Sequence, residues 1–171
     1  MDVRDAELVV LARRAADALL AGKEMLVTAE SCSGGWIGKA CTDLPGSSTW
    51  FRGGAIVYDN ELKTQMVGVL PATLAKYGAV SEGTVSEMAR GALAKLGGTV
   101  SVAVSGVAGP DGGTPDKPVG TVWFAWARQR NGRTLVVTRH RLLPGDRESV
   151  RRHTVEVALS GVIEMLAAPG R

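Results

Sequence analysis

Arg130-Asn131-Gly132-Arg133 separates two runs of strand-like character, residues 119–127 and 135–142. An Asn-Gly pair between such runs marks a tight hairpin, because both central positions of a type I′ turn need positive φ. One antiparallel pair is therefore expected late in the chain. The earlier strand-like runs alternate with helical spacing. Leu8, Leu11, Ala12, Ala15, Ala16, Leu19 and Leu20 recur on one helical face, predicting a helix over 3–21 that Gly22 stops. Met25 to Thr28 reads as a buried strand. Residues 33–41 read as a helix capped by Ser31 or Ser33. After a turn at 45–48, Trp50 to Tyr58 reads as a strand, with Gly53-Gly54 permitting a bulge. Further helices are predicted over 61–67, from Pro71, over 81–96 and over 146–166, with a strand over 100–104. Strands separated by helices, plus one hairpin, specify an α/β chain: a single domain over 1–171, with a layered mixed β-sheet packed with helices.

Composition narrows the function. The chain has 171 residues, 45% of them hydrophobic but only 5% aromatic, and 22 glycines. The core must rest on Ala, Val and Leu, with many tight turns. A net charge of +3 is mildly basic and suits an anionic small molecule. The Lys and Arg are scattered without an aromatic-rich basic stripe, so nucleic acid is not the expected partner. Arg147, Arg151 and Arg152 form the densest basic spot, which a solvated helix face explains equally well. No apolar run is long enough for a membrane span, and the charged N-terminus does not read as a signal peptide. Cys32 and Cys41 fall in one predicted helical region, unsuited to bridging each other; free thiols point to a cytoplasmic location. Two His and two Cys without ligand spacing give no metal site, and no cofactor is expected.

Three patches concentrate reactive groups: Thr28-Ala29-Glu30-Ser31-Cys32-Ser33-Gly34-Gly35, Tyr58-Asp59-Asn60-Glu61-Leu62-Lys63, and Ser105-Gly106-Val107-Ala108-Gly109-Pro110-Asp111-Gly112-Gly113. Ser31 sits where a strand hands over to a helix. It fits a plain N-cap, and it fits a nucleophile whose product oxyanion is held by free helix-start amides. A serine needs a base. His140 and His153 lie in no motif, whereas Lys63 can serve if burial lowers its pKa, with Tyr58 to relay a proton or orient it. Cys32 is the competing nucleophile. Gly106, Gly109, Gly112 and Gly113 can cradle a phosphate on backbone amides, although the spacing is neither a P-loop nor a dinucleotide fingerprint. Arg147 can add the missing positive charge.

Together with Pro45-Gly46-Ser47-Ser48, Gly78-Ala79-Val80-Ser81-Glu82 and Lys117-Pro118-Val119-Gly120-Thr121-Val122, these patches resemble the nicotinamide-nucleotide amidohydrolases, which also form the C-terminal domain of the competence/damage-inducible protein CinA. The resemblance runs from about residue 5 to about residue 166. It implies a stand-alone, metal-free amidohydrolase that deamidates nicotinamide mononucleotide to nicotinate mononucleotide and ammonia in pyridine-nucleotide salvage. It implies Ser31 as nucleophile, Lys63 as general base and Tyr58 as its assistant. Glu30, Cys32, Ser33, Gly34, Ser105, Gly106, Gly109, Gly112 and Arg147 are then expected around the substrate, and the chain is expected to form a homo-oligomer. Ser33 stands where the family usually has Thr, and Asp59 where it usually has Ser. Asp59 is expected to raise the pKa of Lys63 if it turns inward. A non-catalytic nucleotide-binding or regulatory domain, and a hydrolase of a related nucleotide, are the rival readings.

Overall fold

The computed structural model describes residues 3–168. Helix α1 (Asp5–Gly22) precedes β1 (Leu26–Glu30), α2 (Trp36–Thr42) and a single 3-10 turn (Ser47–Thr49). Then come β2 (Phe51–Ile56), α3 (Asn60–Val67), α4 (Pro71–Tyr77), α5 (Glu82–Leu96), β3 (Val100–Gly106), β4 (Thr121–Arg130), β5 (Arg133–Leu142) and α6 (Arg147–Ala167). The five strands form one mixed sheet in the order β2-β1-β3-β4-β5. β2, β1 and β3 run parallel; β4 and β5 are antiparallel neighbours.

The hairpin closes on two residues, with Asn131 at φ 51° and Gly132 at φ 73°. Both strands reach the turn, with Arg130 paired to Arg133. The polar residues 128–130 and 133–134 are thus strand, which their composition had hidden; backbone pairing carries them past the buried part of the sheet.

Strand alternation sorts the core into two layers. Val100, Val102 and Val104 of β3, with Leu26, Phe124 and Trp126, pack under α1, α2 and α6 against Leu8, Leu19, Ile37 and Leu159. The opposite face is built from small residues, Ala29, Ala55, Ala103, Ala125 and Ala127, on which Val85, Met88 and Ala89 of α5 and Val67 of α3 rest. Small side chains there let α5 approach closely enough for the Ser101 hydroxyl to donate to the Ala89 carbonyl at 2.7 Å. On the other side, the Trp126 indole N–H donates to the Ala158 carbonyl at 2.9 Å, and a Cβ added at Gly161 would overlap the indole ring. No helix among the described residues is long and apolar enough to cross a membrane.

Candidate active site

Because β2, β1 and β3 are parallel neighbours, the segments that follow them emerge side by side at the carboxyl edge of the sheet. These segments are the three patches. Open α/β sheets bind ligands at this edge. The Ser31 amide donates to the Val104 carbonyl at 3.1 Å, so strand geometry persists one residue beyond β1. Alternation then places Ser31 on the side of Val27 and Ala29, the face covered by α3 and α5. Lys63 lies in α3, on that same face.

The helix expected over 33–41 starts later. Residues 31–35 form a turn, with Gly34 at φ 62° and Gly35, the N-cap, at φ 92°, a region closed to most side chains. Neither Ser31 nor Ser33 caps the helix. Glu30 does so from beneath: its carboxylate accepts from the Ile37 and Gly38 amides at 3.0 and 2.8 Å, and from the Ser33 and Thr28 hydroxyls at 2.7 and 3.2 Å. Glu30 is 1% exposed. A buried carboxylate with four donors at a helix N-terminus is well satisfied. It also takes up the amides at the start of α2 that an oxyanion would otherwise use, and the Gly34 amide is held by the Ser31 carbonyl at 3.1 Å. Ser33 is fully buried and faces Glu30.

Lys63 is 1% exposed, and its Nζ donates to the backbone carbonyl of Tyr58 at 2.9 Å. Burial lowers its pKa below the ordinary lysine value; the Asp59 carboxylate opposes this. Asp59 itself caps α3, accepting from the Glu61 amide at 2.7 Å. The Cys32 thiol is buried and its pKa is pushed up to about 12, chiefly by burial, so it stays protonated at neutral pH. Cys41 is raised for the same reason, and both cysteines are free.

The Tyr58 side chain is 60% exposed and turns outward, its hydroxyl 3.4 Å from Arg147 Nη2. Arg147 also donates to the Gly109 carbonyl at 2.7 Å. Arg147 thereby joins the second patch to the third. One helical turn on, Arg151 joins the first: its Nε donates to the Cys32 carbonyl at 3.2 Å and its Nη2 to the Ser33 carbonyl at 3.0 Å. Arg151, which sequence reading set aside as a helix face, is thus a cavity-lining residue bonded to the first patch. The signal for it was its four-residue spacing from Arg147.

Both arginines line a cavity of about 900 Å³ with Trp36, Ala108, Pro110, Val119 and the first residues of α6. The third patch enters this wall through Ala108 and Pro110, an apolar surface, and offers Arg147 a carbonyl rather than amides. Positive charge at the cavity comes from the two guanidinium groups. Of the acids there, Asp146 caps α6 through the Ser149 amide and Glu148 pairs with Arg152 at 2.8 Å. Ser105, 1% exposed, follows Val104 on β3 beside Ser31, with Gly106 next to it; Gly112 lies in the exposed part of the loop. Among the described residues, no group of His, Cys, Asp or Glu could hold a metal ion.

Comparison with known proteins gives relatives over nearly the whole chain. The CinA C-terminal domain model matches residues 9–166. The chain is 50% identical over 155 residues to the nicotinamide-nucleotide amidohydrolase PncC of Escherichia coli, covering 91% of this chain and 92% of that one. A crystal structure of the competence damage-inducible protein A from Klebsiella pneumoniae superposes with a TM-score of 0.88 at 38% identity, covering 95% of this chain and 99% of that one. The competence/damage inducible protein of Agrobacterium tumefaciens gives 0.85 at 40% identity, covering 96% and 98%. With the fold and nearly the full length in common, the chain belongs to the CinA C-terminal domain family.

Proposed function

We propose that the chain is a nicotinamide-nucleotide amidohydrolase, cleaving the carboxamide of nicotinamide mononucleotide to nicotinate mononucleotide and ammonia in NAD salvage. One observation carries the chemistry: Lys63 is buried with its pKa lowered, on the same face and at the same sheet edge as Ser31. Burial that disfavours its charged form is what a lysine needs to act as a general base. Lys63 takes the Ser31 proton, and Ser31 Oγ attacks the carboxamide carbon. The tetrahedral oxyanion meets amides of the 31–35 turn not already used, or the Ser105-Gly106 segment. The proton returns to the leaving nitrogen and ammonia departs. Water then adds to the acyl-enzyme, again with Lys63 as base, and nicotinate leaves Ser31.

The substrate lies across the sheet edge. Its pyridine ring reaches Ser31 on the α3/α5 face, and its phosphate reaches Arg147 and Arg151 in the cavity. The Tyr58 hydroxyl is a partner of Arg147. Glu30 and Ser33 hold the turn from below, and Cys32 packs in the core beneath α6 without reacting. A cytoplasmic setting suits the two free thiols. A homo-oligomer suits the exposed apolar side chains Ile56, Leu62, Met66 and Leu70 near the site.

The test is ammonia release across a panel of pyridine nucleotides. Turnover of nicotinamide mononucleotide above that of other nicotinamide nucleotides is expected. Binding without ammonia release would instead indicate a regulatory nucleotide-binding domain, and release only from another nucleotide would reassign the substrate.

A further inference from the structure

Arg151 touches two things at once. The edge of its guanidinium formed by Nε and Nη2 holds the carbonyls of Cys32 and Ser33, the two residues after the nucleophile. Its other edge, Nη1 with the second Nη2 proton, is left for the cavity that Arg151 lines. The group is held by these carbonyls and by an aromatic ring. Its Cζ lies 5.2 Å from the Trp36 ring centroid. Gly34 leaves it room, since a Cβ there would stand 3.1 Å from Nη2. Arg147, one turn earlier, makes no such contact with the nucleophile's turn; it bonds Gly109 and Tyr58. The nearby carboxylates are already engaged, Asp146 as a helix cap and Glu148 with Arg152.

We propose that Arg151 is a positioning residue that couples the anionic end of the substrate to the nucleophile: phosphate bound on its free edge fixes the guanidinium, and the guanidinium fixes the Ser31 turn through the Cys32 and Ser33 carbonyls. The inference rests on the amidohydrolase reading. A guanidinium can serve two such partners because its donors are planar and fixed in direction; an ammonium cannot. Phosphate recognition of this kind acts on turnover and not only on affinity, because binding at a remote group is used to order the reacting one.

The experiment compares ammonia release from nicotinamide mononucleotide and from its dephosphorylated nucleoside, by the full-length wild type, Arg151→Gln and Arg151→Lys, with kcat and KM measured separately and folding checked by thermal melting. In the wild type, loss of the phosphate lowers kcat by roughly 10- to 100-fold as well as raising KM. Arg151→Gln lowers kcat on the nucleotide by a larger factor than on the nucleoside, so the ratio of the two falls toward one. Arg151→Lys, which keeps the charge and supports the test if the Gln variant does not fold, collapses the ratio as well. An equal fall in kcat on both substrates would reduce Arg151 to a structural role and overturn the inference, as would a change confined to KM. No ammonia from either substrate with the wild type would overturn the amidohydrolase reading and this inference with it.

Discussion

Lys63 Nζ lies 2.9 Å from the main-chain carbonyl oxygen of Tyr58, so Tyr58 holds this lysine through its backbone and not its phenol. The phenol points the other way, toward Arg147. Tyr58→Phe should therefore leave the protonation of Lys63 unchanged. The expected result is a fall in kcat/KM of roughly 10-fold, the size of one lost hydrogen bond to a charged group, with the acid limb of the pH profile unmoved. A shifted limb would mean that the hydroxyl reaches Lys63 during turnover.

Ser31→Ala and Lys63→Ala should each lower turnover by about 10³-fold or more, and the double variant should lose little beyond either single one, because the two act as a unit. Cys32→Ala should be nearly silent, since its thiol stays protonated. Steady-state ammonia release measures all four. An inactive Cys32→Ala enzyme would transfer the nucleophile to the thiol.

The pH dependence follows from Lys63. Its folded pKa is below the ordinary value of 10.5 because of burial, and the base works when deprotonated, so kcat/KM should rise through that lowered pKa. Asp59 pushes in the opposite sense. Removing its charge with Asp59→Asn, which keeps an N-cap side chain, should lower the Lys63 pKa further and move the rising limb to lower pH. An upward shift in a kcat/KM profile would contradict the assignment.

The same burial carries a stability consequence. The unfolded chain binds the Lys63 proton more tightly than the folded one, so the penalty is full below the folded pKa and disappears as pH rises toward 10.5. Lys63→Met, which fills the same space without charge, should melt at a higher temperature than the wild type at neutral pH, and the gap should narrow toward pH 10.5. Melting curves across pH check this, and they separate loss of activity from loss of fold.

Glu30→Ala would leave the Ile37 and Gly38 amides and the Ser33 hydroxyl without their shared acceptor. A cost of roughly 3 kcal/mol or more is expected, with activity falling as the Ser31 turn loosens. Denaturant titration reads the first effect. A variant as stable as the wild type would remove Glu30 from the support of the turn.

Much of the fold was legible because local chemistry and global position agree. Asn131-Gly132 named the hairpin, and the Pro71 and Ser81 helix starts stand where they read. The start of α2 was not legible. Its cap comes from Glu30, seven residues before Ile37 and in the preceding strand, whereas local reading looks for a hydroxyl next to the helix. The site was legible as three patches, since each follows a strand that turns out to be parallel to its neighbour. What joins them was not. Arg151 meets Cys32 across 119 positions of sequence, and only folding brings α6 over the sheet edge. The Gly-rich loop pointed toward amides around an anion, yet it gives the cavity Ala108 and Pro110 and leaves the charge to α6.

Gly161 shows how far the site extends. There is no space between α6 and the Trp126 indole at that point, so the helix is indexed against the sheet like a key in its ward. Arg147 and Arg151 sit at the far end of that rigid rod. Any substituent at residue 161 would lever both guanidinium groups away from the loops they clasp, so a change that touches no reacting atom would still disarm the enzyme.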